Sequence, residues 1–175
     1  MKNSTIERVN DLCTDLELPA PDNFVFVDIE SQTLTHYKSA EEEATYKVST
    51  SKFGTGSREG SYKTPLGLHC IEEKIGQEAR PWTIFSSRED TGVVWEAGMD
   101  GENQVLTRIL RLRGLEEGVN AGDGIDSYER YIYIHGTNNE ETIGTPMSHG
   151  CICMKNDDII TLYNTVEAGT YVYVG

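Results

Sequence analysis

The run RYIYIHGT at residues 130–137 alternates Tyr131, Tyr133 and His135 with Ile132 and Ile134 and stops at a glycine. A period of two built from aromatic and β-branched residues is a strand signature, and it puts His135 at a strand end where a loop begins. Similar short runs recur along the chain. NFVFVDIESQTLTHYK reads as two strands joined at the polar ESQ, and EEEATYKVSTS as an acidic turn followed by a strand. LHCIEEKI, WTIFSS and GVVWEA are apolar runs separated by Gly, Pro and Asp, and TYVYVG reads as a terminal strand. VLTRILRLRGL fits a helix at Val105, Ile109 and Leu112, but the β-branched residues at 105, 107 and 109 favour a strand. So many short strands predict a mainly β domain.

Helical spacing is confined to two segments. Ile6, Val9, Leu12, Cys13 and Leu16 recur at three- and four-residue steps, with Ser4 or Thr5 as the expected cap and LPAPDN as the stop. NDDIITLYNTVEAG predicts a second helix, capped near Asn156, with Ile159, Ile160, Leu162, Tyr163 and Val166 turned inward. Between the strands, KFGTGSREGSYKTPLG holds too many breakers for a regular element and predicts a long surface loop of the kind that often carries function. The expected organisation is an N-terminal helix and linker over 1–23 and one domain over 24–175. A chain of 175 residues buries roughly 70% of its unfolded surface, so folding needs no disulfide staples.

Charge removes whole classes of partner. With 29 acidic and 15 basic side chains the net charge is −14, which repels a phosphate backbone or an anionic membrane surface, so no nucleic-acid partner is expected. The N-terminal residues contain no apolar run of the length a signal peptide or membrane span requires.

Chemistry concentrates in SHGCICM at residues 148–154, where His149, Cys151 and Cys153 fall together. With His135 they are zinc-binding residue types, but structural zinc sites favour paired knuckles and here Cys-x-Cys has no second cysteine pair. A Cys151–Cys153 bridge would span roughly 6.5 to 7 Å between Cα atoms of an extended strand, the outer limit of an unstrained disulfide. Both cysteines could instead fill the core as small hydrophobes, although Gly150 before Cys151 gains a core strand nothing. As a nucleophile, Cys151 needs a base, for which His135 is the candidate, and backbone donors, which the amides around Gly150 and Cys151 can supply to an oxyanion.

IHGT followed by IGTPMSHGCICM resembles the catalytic motif of the YkuD-type L,D-transpeptidase domain: a histidine, a spacer of about fifteen residues, then Ser/Thr-His-Gly-Cys. VSTSKFG…YKTPLGLHCI resembles the same family's TPxGxF segment, and VEAGTYVYV its closing strand. The three matches lie in the family's order and together cover nearly all of 24–175. The resemblance implies a mixed β-sandwich or β-sheet catalytic domain with one helix before it and one after the cysteine motif. It makes Cys151 the nucleophile, His135 the base with its other ring nitrogen on the carbonyl of Gly136, Ser148 and His149 supports of the pocket, and Gly150 part of the oxyanion region. Thr64, Pro65 and Gly67 become candidate substrate contacts. Trp82 and Arg108 are further candidates, positions that core packing and surface solubility also explain.

The implied partner is a peptidoglycan stem peptide, donor and acceptor, cut at the bond between a diamino acid and a terminal D-alanine; no metal or cofactor is implied. An amine acceptor gives a crosslink, and water makes the enzyme an L,D-carboxypeptidase. One position departs from the family: Cys153 stands where an arginine or asparagine is usual, on the same strand face as Cys151. That replacement leaves a binding or redox module without turnover as the alternative. The substrate class implies the cell envelope, whereas translation starting at Met1 with no export signal would imply the cytoplasm. Nothing in the sequence bears on oligomeric state.

Overall fold

The computed structural model describes residues 2–99, 101 and 103–175. Helix α1 (Lys2–Asp15) precedes strands β1 (Asn23–Asp28), β2 (Thr33–Lys38), β3 (Glu41–Ser49), β4 (Gly67–Ile75), β5 (Thr83–Ser86), β6 (Glu89–Val94), β7 (Val105–Gly114), β8 (Tyr133–Gly136) and β9 (Ile152–Met154). Helix α2 (Asn156–Thr165) and strand β10 (Tyr171–Val174) complete the chain. The fold is mainly β, as the runs of alternating residues predict. One sheet runs β4-β10-β1-β2-β3-β9-β8-β7-β5-β6, and an added β4–β7 pairing closes eight of these strands into a barrel, leaving β5 and β6 as a hairpin attached to β7. Closure removes the sheet edges that would otherwise need protection.

The period of two sorts residues between the two faces of the barrel wall. Val25 and Val27 of β1 and Val172 and Val174 of β10 point into the main core. Their neighbours Phe24, Phe26, Tyr171 and Tyr173 point outward, under Val9, Leu12 and Cys13 of α1. Helix α2 sends Ile159, Leu162 and Tyr163, together with Val166 just after it, into the main core beside Leu110, Ile134, Ile152 and Met154. A third cluster on the outer wall joins Phe85, Ile109 and Tyr133, with Val105 and Cys151 packed against it. Among the described residues no helix is long and apolar enough to cross a membrane.

Four local expectations are corrected. Helix α1 begins at Lys2, so Ser4 and Thr5 lie inside its first turn, not at its start. The acidic run expected as a turn belongs to β3, because Ser39 and Ala40 both take positive φ (49° and 60°) and make the hairpin turn themselves. Strand β8 starts at Tyr133, since Tyr131 has φ 57° and its amide, like that of Ile132, is bound in turns to Tyr128 and Ser127. Ile160 of α2 is half-buried, while Ile159 and Leu162 are fully buried.

Candidate active site

Strands β8 and β9 run parallel with Ile134 opposite Ile152, His135 opposite Cys153 and Gly136 opposite Met154. The isoleucines and Met154 face the main core, so His135 and Cys153 share the outer face of the wall. Cys151, just before β9, comes up on that face beside Tyr133, whose amide donates to its Sγ at 3.4 Å; the thiol in turn points at the carbonyl of Tyr131, also 3.4 Å away. His135, Cys151, Cys153, Ser148, His149 and Asn103 line one small cavity of about 110 Å³. Among the described residues, no group of three or more His, Cys, Asp or Glu is arranged to hold a metal ion. All four cysteines are free thiols.

His135 is oriented by its own strand end. Its Nδ1 lies 2.7 Å from the carbonyl of Gly136, which places the proton on Nδ1 and leaves Nε2 as the basic nitrogen facing the cavity. Gly136 has no room for a side chain: an added Cβ would come within 2.5 Å of Asn156 Oδ1 and 2.8 Å of the Leu106 carbonyl. Opposite it, β7 shifts register between Leu106 and Ile109, and Thr107 takes φ 72°, a strained state for a β-branched residue. The strain is held by its hydroxyl, which receives the Trp82 amide at 2.9 Å and donates to Asn156 Oδ1 at 2.5 Å. Buried Asn156 also donates to the Thr137 carbonyl and to Glu140, so the first residue of α2 ties together both sides of the His135 strand end.

The loop that carries Cys151 is fastened just as closely. Ser148 Oγ accepts from the Gly150 amide at 3.2 Å and donates to the Cys151 carbonyl at 2.5 Å. Thr64 Oγ1 donates to the Gly150 carbonyl at 3.0 Å while accepting the Ser51 amide at 3.0 Å. Gly150 itself has φ 121°, and an added Cβ would lie 3.2 Å from Ile132 and 3.3 Å from the Lys63 carbonyl, so only glycine fits. Ser148 engages the Gly150 amide, while among the described residues the N–H groups of His149 and Cys151 meet no acceptor. Of the two amides expected to meet an oxyanion, that of Gly150 is engaged by Ser148 in this arrangement.

His135 faces the second sulfur. His135 Nε2 lies 3.8 Å from Cys153 Sγ, and no hydrogen bond joins it to Cys151 Sγ in this arrangement. Burial holds the His135 imidazole down to about 4 against the opposing pull of the Gly136 carbonyl, and pushes the Cys151 thiol up to about 11 against the Tyr133 amide and the charge of Arg130. Burial and the nearby Cys151 push the Cys153 thiol up as well. The resting site is therefore neutral thiol with neutral imidazole.

Thr64 thus supports the loop from below, Pro65 is buried beside it, and Gly67 starts β4 against β10; none of the three lines the cavity. Trp82 stacks on Trp95 at 5.5 Å, also outside the cavity walls. Arg108 is corrected from a substrate contact to a buried support: its guanidinium donates to the carbonyls of Ala79 and Thr107 and lies 5.5 Å from the Tyr163 ring, on the α2 side. Asn103 went unrecognised in the sequence. It donates to the Met147 carbonyl, approaches His149 Nδ1 at 3.5 Å, and is oriented by Asn139. No local pattern marks it, since residue 103 enters the site only through the loop before β7.

The structure thus holds Cys151 and a backbone-oriented His135 together on the outer wall of a closed barrel. Residues 22–174 match the model of the L,D-transpeptidase catalytic domain, YkuD, and the chain belongs to that family. It is 32% identical over 126 residues to "Probable L,D-transpeptidase ErfK/SrfK" of Salmonella typhimurium, covering 65% of this chain and 40% of that protein. It is 27% identical over 164 residues to "Probable L,D-transpeptidase YcfS" of Escherichia coli, covering 89% and 44%. The chain spans less than half the length of these curated relatives. Its fold is similar to that of an L,D-transpeptidase from Mycobacterium smegmatis (TM-score 0.56, 19% identity, 88% of this chain and 58% of that one). One from Xylanimonas cellulosilytica gives TM-score 0.56 at 18% identity over 90% and 63%.

Proposed function

We propose that this domain is a cysteine acyltransferase acting on peptidoglycan stem peptides, with Cys151 as nucleophile and His135 as base. The observation that carries this reading is the shared cavity. It gathers Cys151, a histidine whose Nδ1 is fixed on the Gly136 carbonyl, and an unengaged Cys151 amide. Substrate binding turns Cys151 Sγ toward Nε2, the thiol proton passes to His135, and sulfur attacks the carbonyl of the diamino acid. The oxyanion that forms is met by the Cys151 N–H. Collapse breaks the C–N bond, the imidazolium protonates the departing amine of D-alanine, and a thioester remains on Cys151. An acceptor amine then attacks the thioester, gives its proton to His135, and releases the crosslinked product and free thiol; water in its place gives the carboxypeptidase outcome.

Mass spectrometry after incubation with a carbapenem tests the assignment. Wild type and Cys153→Ala gain one covalent adduct, and Cys151→Ala gains none. An adduct on Cys151→Ala that disappears in Cys153→Ala would reverse the roles of the two thiols and overturn the reading.

A further inference from the structure

A buried chain of hydrogen bonds runs behind the His135 strand end, and its direction is forced. It starts at the Trp82 amide, which can only donate and does so to Thr107 Oγ1 at 2.9 Å. The hydroxyl has a single hydrogen, which therefore goes on to Asn156 Oδ1 at 2.5 Å. With its oxygen engaged, Asn156 turns Nδ2 to the Thr137 carbonyl at 2.8 Å and to Glu140 Oε1 at 2.7 Å. The same carboxylate oxygen accepts the Asn156 main-chain amide at 2.7 Å and ends the chain. Thr107, Thr137 and Asn156 are each 0% exposed, so cutting one link leaves buried polar groups unpaired.

This chain backs the one carbonyl that orients the imidazole. The Gly136 carbonyl, on His135 Nδ1 at 2.7 Å, and the Thr137 carbonyl belong to successive peptide groups. Asn156 holds the second of them, and its Oδ1 fills the place where a Cβ on Gly136 would stand. Turning the Gly136 carbonyl away from His135 means moving planar peptide units that are pinned on one side and packed on the other. Thr107 reaches Asn156 only in a strained state, φ 72°, and Arg108 keeps it there by donating to its carbonyl at 2.6 Å. Strain held by surrounding bonds at the back of a site marks the position of that hydroxyl as one the fold specifies.

We infer that Asn156, aimed by Thr107 and Glu140, is the positioning residue of His135: it keeps the Gly136 carbonyl on Nδ1, and with it the imidazole proton, so that Nε2 stays open. Asn156 is not among the residues that line the cavity and acts only through the backbone. The use of Nε2 as a base rests on the acyl-transfer reading; the placement of the proton does not.

Two measurements test this. NMR of the imidazole nitrogens, with the His135 signals identified as those missing from His135→Gln, reads which nitrogen carries the proton. Wild type and Thr107→Ser, which keeps the hydroxyl, are expected to show one tautomer, protonated on Nδ1. Thr107→Val, which keeps the shape but not the link, and Asn156→Ala are expected to show a mixture. In the same two variants carbapenem labelling of Cys151 should slow by about 10- to 100-fold, in the first-order step and not in the half-saturating concentration, as for a displaced catalytic group. Should Asn156→Ala fail to fold, the Thr107 pair decides. A Thr107→Val protein that keeps the Nδ1 tautomer, or a mixture already present in wild type, overturns the inference whatever the labelling rate does. A wild type that holds the Nδ1 tautomer but is never labelled overturns the acyl-transfer reading and leaves Asn156 as the anchor of His135.

Discussion

Acid should destabilise this domain through its buried histidines, and the size of the effect follows from their surroundings. His69 and His135 are 0% and 2% exposed, and burial lowers each from an ordinary value of 6.5 to about 4. The unfolded chain therefore takes up a proton on each as pH falls below about 6.5, while the folded protein resists until about pH 4, so stability is present above 6.5 and is lost across that window. At about 1.4 kcal/mol per pH unit per proton, each histidine contributes about 3–4 kcal/mol, and the pair about 6–7. That is a large part of the 5–15 kcal/mol that holds a typical domain. His36, also lowered by burial, adds with the same sign, and Asp158, raised by burial, opposes it. Replacing His69 isolates one contribution without touching the proposed catalytic pair. Its ring bridges the Gly67 carbonyl at 3.1 Å and Ser127 Oγ at 3.0 Å, a role the amide of glutamine fills in part. Urea midpoints of wild type and His69→Gln, followed from pH 7.5 to 4.5, should converge toward low pH. The variant starts less stable and loses about 1.4 kcal/mol less per pH unit near pH 5. Parallel curves for the two proteins would show that His69 is not held neutral by the fold, and would refute the reasoning.

Two further outcomes follow from the site. Thr64→Val strips the Gly150 carbonyl and the Ser51 amide of their buried partner, so it should cost about 2–4 kcal/mol in chemical denaturation and slow carbapenem acylation of Cys151; an unchanged midpoint and rate would remove Thr64 from the support of the loop. With its thiol pushed up to about 11, Cys151 in the free protein should be alkylated by iodoacetamide about tenfold faster for each pH unit between 7 and 10. A rate that levels off below pH 8 would mean a resting thiolate, and the neutral pair described above would be wrong.

The strands were legible because a barrel wall with a core inside and a helix or hairpin outside imposes strict alternation, as Phe24, Val25, Phe26 and Val27 show. Barrel closure was not legible, since the β4–β7 pairing joins residues far apart in sequence and leaves no local pattern. The misplaced turn before β3 and the late start of β8 share one cause. Ser39, Ala40 and Tyr131 adopt positive φ without being glycine, and residue type alone does not announce a left-handed backbone when tertiary contacts enforce it. Arg108 misled for a related reason. A charged side chain on an alternating strand reads as exposed, but the register shift at Thr107 turns it toward Tyr163 and α2.

At the site, spacing pointed to His135 and Cys151, and the same-face argument placed Cys153 beside them. What spacing could not supply is the register. In parallel strands the partner of His135 is fixed by which residues pair, and here the pairing is with Cys153. The second thiol therefore sits next to the basic nitrogen, at 3.8 Å, while the proposed nucleophile rests on the backbone of Tyr131 and Tyr133. Cys153 is fully buried and its thiol is pushed up still further than that of Cys151, so it keeps its proton and offers His135 only a weak contact. Cys151 lines the cavity, is part-exposed, and makes only long sulfur contacts of 3.4 Å to the backbone of Tyr131 and Tyr133. A small neutral group at position 153 thus leaves the Nε2 of His135 free for the role proposed for it.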